Sequence, residues 1–296
     1  RWFRFSWIHG FMVSEVADST LSFYVNTSNG PEYRLVYHPK YLAANMFTFI
    51  PVRGLQLSVG NSIVYDHRYP KAAFMIPVVF YKSVDHTLNA GIDNMNSQLF
   101  FSVSSRNLRN FHFYGTAFID ELQVGRIFES DEYNPVSYKG GMASTVIPDM
   151  RLVLEYTWTN SLTFRHRVST LTYESNGYNL GHYLEDNAKD LYAALEYRPF
   201  RTLNLRAYYN RSVKGPDHTA LGNWEAGSIV APFEPIVWES RRLGVTATMQ
   251  IINDLYMRLG YERRNVSGEQ EYLEQWTPEV YHGSTGTLRV GVNYGF

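Results

Sequence analysis

The chain has 296 residues, with 27 Lys and Arg against 28 Asp and Glu, no Cys, and an aromatic content of 16%. The near-neutral charge argues against nucleic acid as a partner, since phosphate binding needs clustered Lys and Arg, and the lack of Cys excludes disulfides, thiolate metal sites and a Cys nucleophile. No run approaches the ~18 apolar residues of a membrane-spanning helix, so a membrane location would require strands.

Alternating apolar and polar residues predict twelve strands along the chain. The chain opens in strand-like sequence, RWFRFSWIHGFMVSEV, so we expect an amino-terminal part of the natural protein to be missing. Whether residues 19–26 add another short strand is left open. The predicted strands begin near Phe3, Tyr41, Leu55, Gln98, Asn110, Val136, Arg151, Asp190, Leu203, Val237, Leu255 and Thr285.

One face of these strands is apolar and the other carries the charges. In the last strand Leu288, Val290, Val292 and Tyr294 alternate with polar residues and Gly, and ~9 to 11 residues is the span of a tilted transmembrane strand. Arg on the lipid face near the bilayer middle would cost ~2 to 4 kcal/mol, so the charged set is assigned to the lumen. The predicted lumen-facing polar residues are Glu155, Glu196, Arg206, Arg258, Glu262 and Arg289.

Short and long connections alternate, as in outer-membrane barrels, whose periplasmic turns are short and whose outside loops are longer. Short connections lie at 51–54, 106–109, 147–149, 198–201 and 252–254. Every short connection falls on the same side of the membrane only if residues 161–189 form one outside loop. Residues 162–173 are therefore interpreted as an extracellular extension of the strand beginning at Arg151. The sequence therefore predicts one all-β domain over residues 1–296, an antiparallel transmembrane β-barrel with about twelve to fourteen strands visible.

The sequence shows no convincing catalytic or metal site. There is no G-x-S-x-G motif, and a barrel-wall hydrolase would depend on Ser102 and His112 meeting across neighbouring strands. The nearest potential metal cluster, His182, Glu185 and Asp186, is more simply interpreted as loop packing. We therefore predict a non-enzymatic protein without metal or cofactor.

Sugar binding is the chemistry that the predicted outside loops suit best, because they combine aromatic rings with amide, carboxylate and guanidinium groups. The loops are 66–97, 120–135, 161–189, 214–236 and 267–284. An alternative for the Trp and Tyr residues near strand ends is anchoring in the membrane interface. The predicted polysaccharide-binding residues are Tyr133, Asp217, Trp224, Trp238 and Trp276.

Several stretches, among them WIHGFMVSEVADS, FYKSVDHTLN, HFYGTAFIDEL and NGYNLGHYLEDNAKDLYAALEYRPFR, resemble the Wzi-type capsule-assembly proteins of Bacteroidota. The resemblance implies an outer-membrane barrel, with about eighteen strands in the characterised proteobacterial relatives, that attaches capsular polysaccharide at the cell surface. It does not imply an enzyme. The terminal Phe296 resembles the signal that the barrel-assembly machinery recognises in bacterial outer-membrane barrels.

The leading hypothesis is a barrel in outer-membrane lipid that binds capsular polysaccharide or exopolysaccharide through loops facing the cell exterior. One alternative is a diffusion channel or transporter, which the polar lumen would equally suit and a plugged lumen would count against. Another is a barrel subunit that contacts other envelope proteins. The sequence does not identify the polysaccharide, the oligomeric state or the full strand count.

Overall fold

The computed structural model describes residues 2–88, 95–120, 134–217 and 235–295. Sixteen strands occur in these ranges, twelve of them in one antiparallel sheet of order β1-β4-β5-β6-β7-β8-β9-β12-β13-β14-β15-β16. The strands are β1 (Phe3–Ala17), β2 (Phe23–Thr27), β3 (Gly30–Arg34), β4 (Tyr37–Phe49), β5 (Leu55–Asp66), β6 (Met95–Ser105), β7 (Phe111–Ile119), β8 (Val136–Ser144), β9 (Met150–Thr159), β10 (Glu174–Ser175), β11 (Tyr178–Asn179), β12 (Ala188–Phe200), β13 (Leu203–Lys214), β14 (Trp238–Ile252), β15 (Leu255–Gly268) and β16 (Gly283–Tyr294). The twelve predicted strands are confirmed, and no predicted start differs from the observed one by more than four residues.

Strand register separates the sheet into two chemically different faces. Arg206 lies opposite Glu196 and Thr246, and Arg289 lies opposite Gly260. Because side chains alternate along a strand, residues paired in this way share a face, and we call it the polar face. The other face, the apolar face, exposes large apolar side chains, as expected of a wall that contacts lipid. They include Leu154, Tyr156, Leu191, Leu243, Val245, Leu259, Val290 and Val292.

Tight turns join the strands at one end of the sheet, which we call the short-turn end. Four of these turns hold a residue with positive φ: Gly54 (88°), Asn110 (65°), Asp149 (59°) and Asp254 (64°). Gly, Asn and Asp tolerate this left-handed backbone best, which explains why the chain reverses there. The predicted short connections are thus confirmed, and the longer connections lie at the opposite, long-loop end.

The segment after β9 corrects one prediction. Residues 162–173 do not extend a strand: β9 ends at Thr159, Leu162 has a positive φ of 59°, and a short 3-10 helix follows at Ser169–Leu171. The segment turns back because its apolar side chains can be buried against the sheet: Phe164 is 1% exposed and Leu171 is 0% exposed. The prediction that one connection joins this strand to the next is right, since β9 pairs with β12.

Two further elements at the long-loop end lie outside the large sheet. The segment left open at residues 19–26 contributes β2, which pairs with β3 in a hairpin. Residues 67–88 contain a 3-10 helix (Ala72–Met75) and helix α1 (Tyr81–Leu88). Within the ranges given above, no helix is long and apolar enough to cross a membrane.

The segment 67–88 packs on the apolar face and not on the polar one. Its buried Phe74 and Tyr81 form a cluster with Ile63 and Tyr65 of β5. Asn45 of β4 donates to the carbonyls of two residues of this segment, at 3.0 and 2.8 Å. A buried amide without partners would be costly in an apolar medium, so the segment satisfies a polar group that lipid could not.

Candidate functional site

The six predicted lumen residues lie on the polar face, and four of them line one cavity. The cavity has a volume of about 400 Å³ and opens near the short-turn end of β12–β16. Its lining is charged and hydrogen-bonding. It comprises Glu196, Asn204, Arg206, Thr246, Thr248, Arg258, Gly260 and Arg289.

Positive charge dominates this cavity. Glu196 is its one acidic residue, and its carboxylate lies 3.4 Å from Arg151 and 4.0 Å from Arg206. Arg289 is 3.8 Å from Glu262, which also pairs with Arg264 at 2.9 Å. No ion pair of Arg258 occurs in the part of the chain that the structure describes. Three Arg against one Glu suit an anionic or hydroxyl-rich solute.

A second polar network lies higher on the same face, toward the long-loop end. Asp190 accepts hydrogen bonds from Tyr183, Asn210 and Ser212 at 2.9, 2.8 and 2.7 Å. Arg242 in turn donates to the Asn210 side chain at 3.0 Å. Burial and the neighbouring Asp190 carboxylate raise the pKa of the Tyr183 phenol to about 12, so it stays a neutral donor. The wall is therefore prearranged by internal hydrogen bonds.

The loop of residues 160–187 lies across the polar face of the first strands. Phe118 of β7 contacts the rings of Phe164 and Tyr173, with centroids 5.2 and 5.0 Å apart. The Lys40 ammonium on β4 donates to the Thr172 carbonyl at 2.9 Å. The backbone N–H of Asn176 reaches the carbonyl of Val13 on β1 at 2.8 Å. The loop therefore covers part of the polar face at the long-loop end.

Charged groups fix the other side of this loop. Arg165 lies 3.3 Å from Glu185, 3.8 Å from Asp186 and 3.5 Å from Asp217. Burial raises the pKa of the Asp186 carboxyl to about 6, although the Phe164 backbone N–H and the Arg165 charge act in the opposite direction. Burial acts to lower the pKa of the Arg165 guanidinium, but the charges of Asp217, Asp186 and Glu185 outweigh it, so the pKa is raised and the group stays charged.

The described members of the predicted sugar-binding set meet in one packed cluster. Asp217 lies 3.0 Å from the Lys214 ammonium, which sits 4.5 Å from the ring centre of Trp276. Trp238 is 6% exposed, and its indole N–H donates to Thr277 at 2.9 Å. Helix α2 (Gln270–Trp276) packs on this cluster. Sugar binding by these residues stays a prediction; the contacts give each of them a packing role. Tyr133, Trp224 and Phe296 lie outside the described residues.

Sequence reasoning missed an exposed aromatic pair on the β2–β3 hairpin. Tyr24 and Tyr33 are 73% and 46% exposed, and their ring centroids are 4.9 Å apart. The two residues pair directly across the hairpin, so their rings share one side. Tyr178 on β11 is 74% exposed at the same end. The signal in the sequence was weak, because the strands of this hairpin are only five residues long.

The structure corrects the Ser–His pair of the hydrolase hypothesis. Ser102 lies opposite Thr116, and it is Ser104 whose hydroxyl lies 2.9 Å from Nε2 of His112. A serine nucleophile also needs a group that orients the base and donors for an oxyanion. Among the described residues no carboxylate or amide side chain holds Nδ1 of His112, and the backbone around Ser104 belongs to the sheet ladder. In the same ranges no group of three His, Asp or Glu could hold a metal ion.

Comparison with solved structures identifies the architecture. Wzi, described as an outer membrane protein involved in group 1 capsule assembly in Escherichia coli and a carbohydrate binding β-barrel, superposes with a TM-score of 0.56 at 12% identity. The chain has the fold of an outer-membrane β-barrel. The superposition covers 87% of this chain and 52% of the Wzi chain. This chain therefore spans about half the length of Wzi.

Other outer-membrane proteins are similar at a lower level. OccD3 of Pseudomonas aeruginosa gives a TM-score of 0.41 at 13% identity, covering 97% of this barrel chain and 74% of OccD3. OmpF of Salmonella typhi gives 0.39 at 9% identity, with 98% and 97% covered. No family model and no curated protein matches the sequence.

Proposed function

We propose that this barrel binds or organises capsular or other surface polysaccharide at the cell surface, without catalysing a reaction. The main support is the loop 160–187, which is folded across the polar face at the long-loop end with Leu171 buried and Lys40 bonded to Thr172. A wide diffusion channel needs an open interior at both ends. A folded, aromatic-bearing surface at this end instead suits a long external polymer.

The exposed rings at that end provide the sugar chemistry. Tyr24 and Tyr33 form a protruding platform, and flat aromatic rings pack on the apolar faces of pyranose sugars. Each such contact is weak, but a polymer presents its repeat many times, and every contact raises the effective concentration for the next one. The predicted residues Trp276 and Asp217 would add contacts where they reach solvent.

The same proposal gives the environment of the chain. Its structural relatives are outer-membrane proteins, which supports an outer-membrane location. We place the long-loop end outside the cell and the short-turn end in the periplasm, with Phe296 read by the barrel-assembly machinery. Contacts with other envelope proteins would use the loops or the wall around residues 67–88.

A set of hairpin variants tests the sugar surface. Purified protein in detergent is titrated with surface polysaccharide of its own organism, alongside Tyr24→Ala/Tyr33→Ala. Loss of both rings is expected to weaken binding by about tenfold or more. Tyr24→Phe/Tyr33→Phe keeps the rings and should keep most of the affinity. Val25→Ala, on the other side of the same strand, is the matched control. Equal affinity of all variants would remove the hairpin from the proposal.

A channel is the second candidate, because the arginine-lined cavity near the short-turn end would suit an anionic solute. The two functions predict opposite behaviour in a planar lipid bilayer. Steady, anion-selective conductance that Arg206→Gln/Arg258→Gln/Arg289→Gln abolishes, together with no polysaccharide binding, would favour the channel. The absence of conductance, together with polysaccharide binding, would favour attachment.

A further inference from the structure

The apolar face of β12–β15 carries a group of cations at its long-loop end. Arg211 and Arg241 lie directly opposite one another, Arg263 lies opposite Leu243, and Lys189 lies opposite Trp158. The side chains of Arg211 and Arg241 are 44% and 53% exposed. We call Lys189, Arg211, Arg241 and Arg263 the cationic patch.

The cationic patch borders the apolar surface. The next residues along the same face are large and exposed: Leu191 is 40% exposed, Leu243 58%, Val245 52% and Tyr261 49%. Toward the short-turn end the same face of β12–β15 continues with uncharged side chains, such as Leu205, Met249 and Met257. The cations therefore mark one boundary of the apolar band, where the acyl chains of a membrane end and the polar headgroups begin.

The charge of the three arginines of the patch is only partly balanced among the residues that the structure describes. Glu239 accepts from Arg211 at 2.6 Å and from Arg241 at 2.8 and 3.1 Å. One carboxylate thus holds two guanidinium groups in place, and the three arginines of the patch against this one acid leave a formal excess of two positive charges. Arg263 has no ion-pair partner in the ranges that the structure describes. Fixed guanidinium groups with free N–H donors match phosphate oxygens.

We propose that the cationic patch binds the phosphate groups of a phosphorylated glycolipid in the outer leaflet. The acyl chains lie on Leu191, Leu243 and Val245, and Arg211, Arg241 and Arg263 contact the phosphates. A lipid is favoured over free phosphate because the apolar band begins in the adjacent residue row. The inference rests on the outer-membrane location and the orientation proposed above, but it does not depend on polysaccharide binding.

A matched pair of triple variants tests this site. Arg211→Gln/Arg241→Gln/Arg263→Gln removes three charges from the patch, and Arg206→Gln/Arg258→Gln/Arg289→Gln removes three from the polar face. Both proteins are titrated in detergent with bisphosphorylated lipid A. Each lost charge should cost about fivefold in affinity, so the patch variant should bind on the order of a hundredfold more weakly. The polar-face variant should bind as the wild-type protein does.

Three further arms identify the ligand and keep the test decisive. Lipid A stripped of phosphate should bind weakly to the wild-type protein, and inorganic phosphate should compete poorly with the intact lipid. Glu239→Gln removes the one acid and should tighten lipid binding by about fivefold, so it decides the question if the patch variant does not fold. Equal loss in both triple variants, no effect of the lipid phosphates, competition by inorganic phosphate at the lipid's own concentration, or no tightening in Glu239→Gln would each overturn the proposal.

Discussion

The ammonium of Lys40 donates to the backbone carbonyl of Thr172 at 2.9 Å. This hydrogen bond links strand β4 to the loop that follows β9, five strands away in the sheet. The same ammonium lies 3.5 Å from the carboxylate of Glu174. Lys40 is fully buried, so water does not solvate its charge, and the ammonium is stabilised by these two contacts. Docking of the loop 160–187 therefore depends strongly on one side chain of the wall.

Lys40→Met should release this loop. The substitution leaves Glu174 without its cation and should lower the free energy of unfolding by about 3 kcal/mol. Limited proteolysis should then cut within residues 160–187 faster than in the wild-type protein. Lys40→Met/Glu174→Gln removes the stranded charge as well and should recover part of the loss. An unchanged cleavage rate in Lys40→Met would show that the loop is held by other contacts.

Stability should respond to the titration of Asp186. Burial raises the pKa of this carboxyl from 3.8 to about 6 in the folded protein, so the folded state binds the proton more tightly than the unfolded state. Its contribution to stability is therefore present at low pH and is lost as the pH rises from about 4 to about 6. Asp186→Asn keeps an acceptor for the Phe164 N–H but lacks the titration. The stability of Asp186→Asn relative to wild type should rise by about 2 kcal/mol over this pH interval.

Chemical unfolding at several pH values measures this difference. A difference between Asp186→Asn and wild type that stays constant from pH 4 to 7, or that falls, would contradict the assignment.

Two neighbouring glycines of β8 should differ in their tolerance of a methyl group. The position of a Cβ on Gly141 is occupied by the ring of Tyr114 across the strand pair, whereas a Cβ on Gly140 would meet nothing within 4 Å. Gly141→Ala must displace the ring and should destabilise the fold by about 1 to 3 kcal/mol. Gly140→Ala, one residue away, is the control and should have a small effect. Similar unfolding midpoints for the two variants would argue against the packing of Tyr114 on Gly141.

Substitution of the two described tryptophans of the predicted sugar-binding set should lower stability by different amounts. Trp238 is buried and donates to Thr277, so Trp238→Ala should cost about 3 to 5 kcal/mol of stability. Trp276 is partly exposed over Lys214, and Trp276→Ala should cost less. Thermal unfolding checks both, and the polysaccharide affinity of folded Trp276→Ala shows whether its exposed edge contacts sugar. A larger loss of stability in Trp276→Ala than in Trp238→Ala would contradict the packing described above.

The sheet could be predicted from the sequence because its signal is local. A period of two, as at Leu288 to Tyr294, reports the two faces of a strand directly, and turn residues such as Asp149 and Asp254 mark the reversals. The register of β6 and β7 was harder to predict, because the sequence does not show which residues of the two strands lie opposite each other. That is why Ser102 was named where Ser104 contacts His112.

The long loops could not be predicted because their contacts join residues far apart in the chain. Nothing near Leu171 indicates that it packs against the sheet beside Lys40 and Asn96. Asn45 is a polar residue on the apolar face, and its partners are carbonyls of a segment more than thirty residues away. The exposed pair Tyr24 and Tyr33 was missed for a different reason: the strands of its hairpin are only five residues long, too short for a clear alternation.

Binding to polymers of different length tests the central claim most directly. The wild-type protein is titrated with intact surface polysaccharide and with short oligosaccharides cut from the same material. Multivalent attachment predicts binding to the polymer with an apparent affinity about a hundredfold or more above that for the short fragments. No binding to the polymer, or equal affinity for polymer and fragments, would contradict an attachment role at the long-loop end.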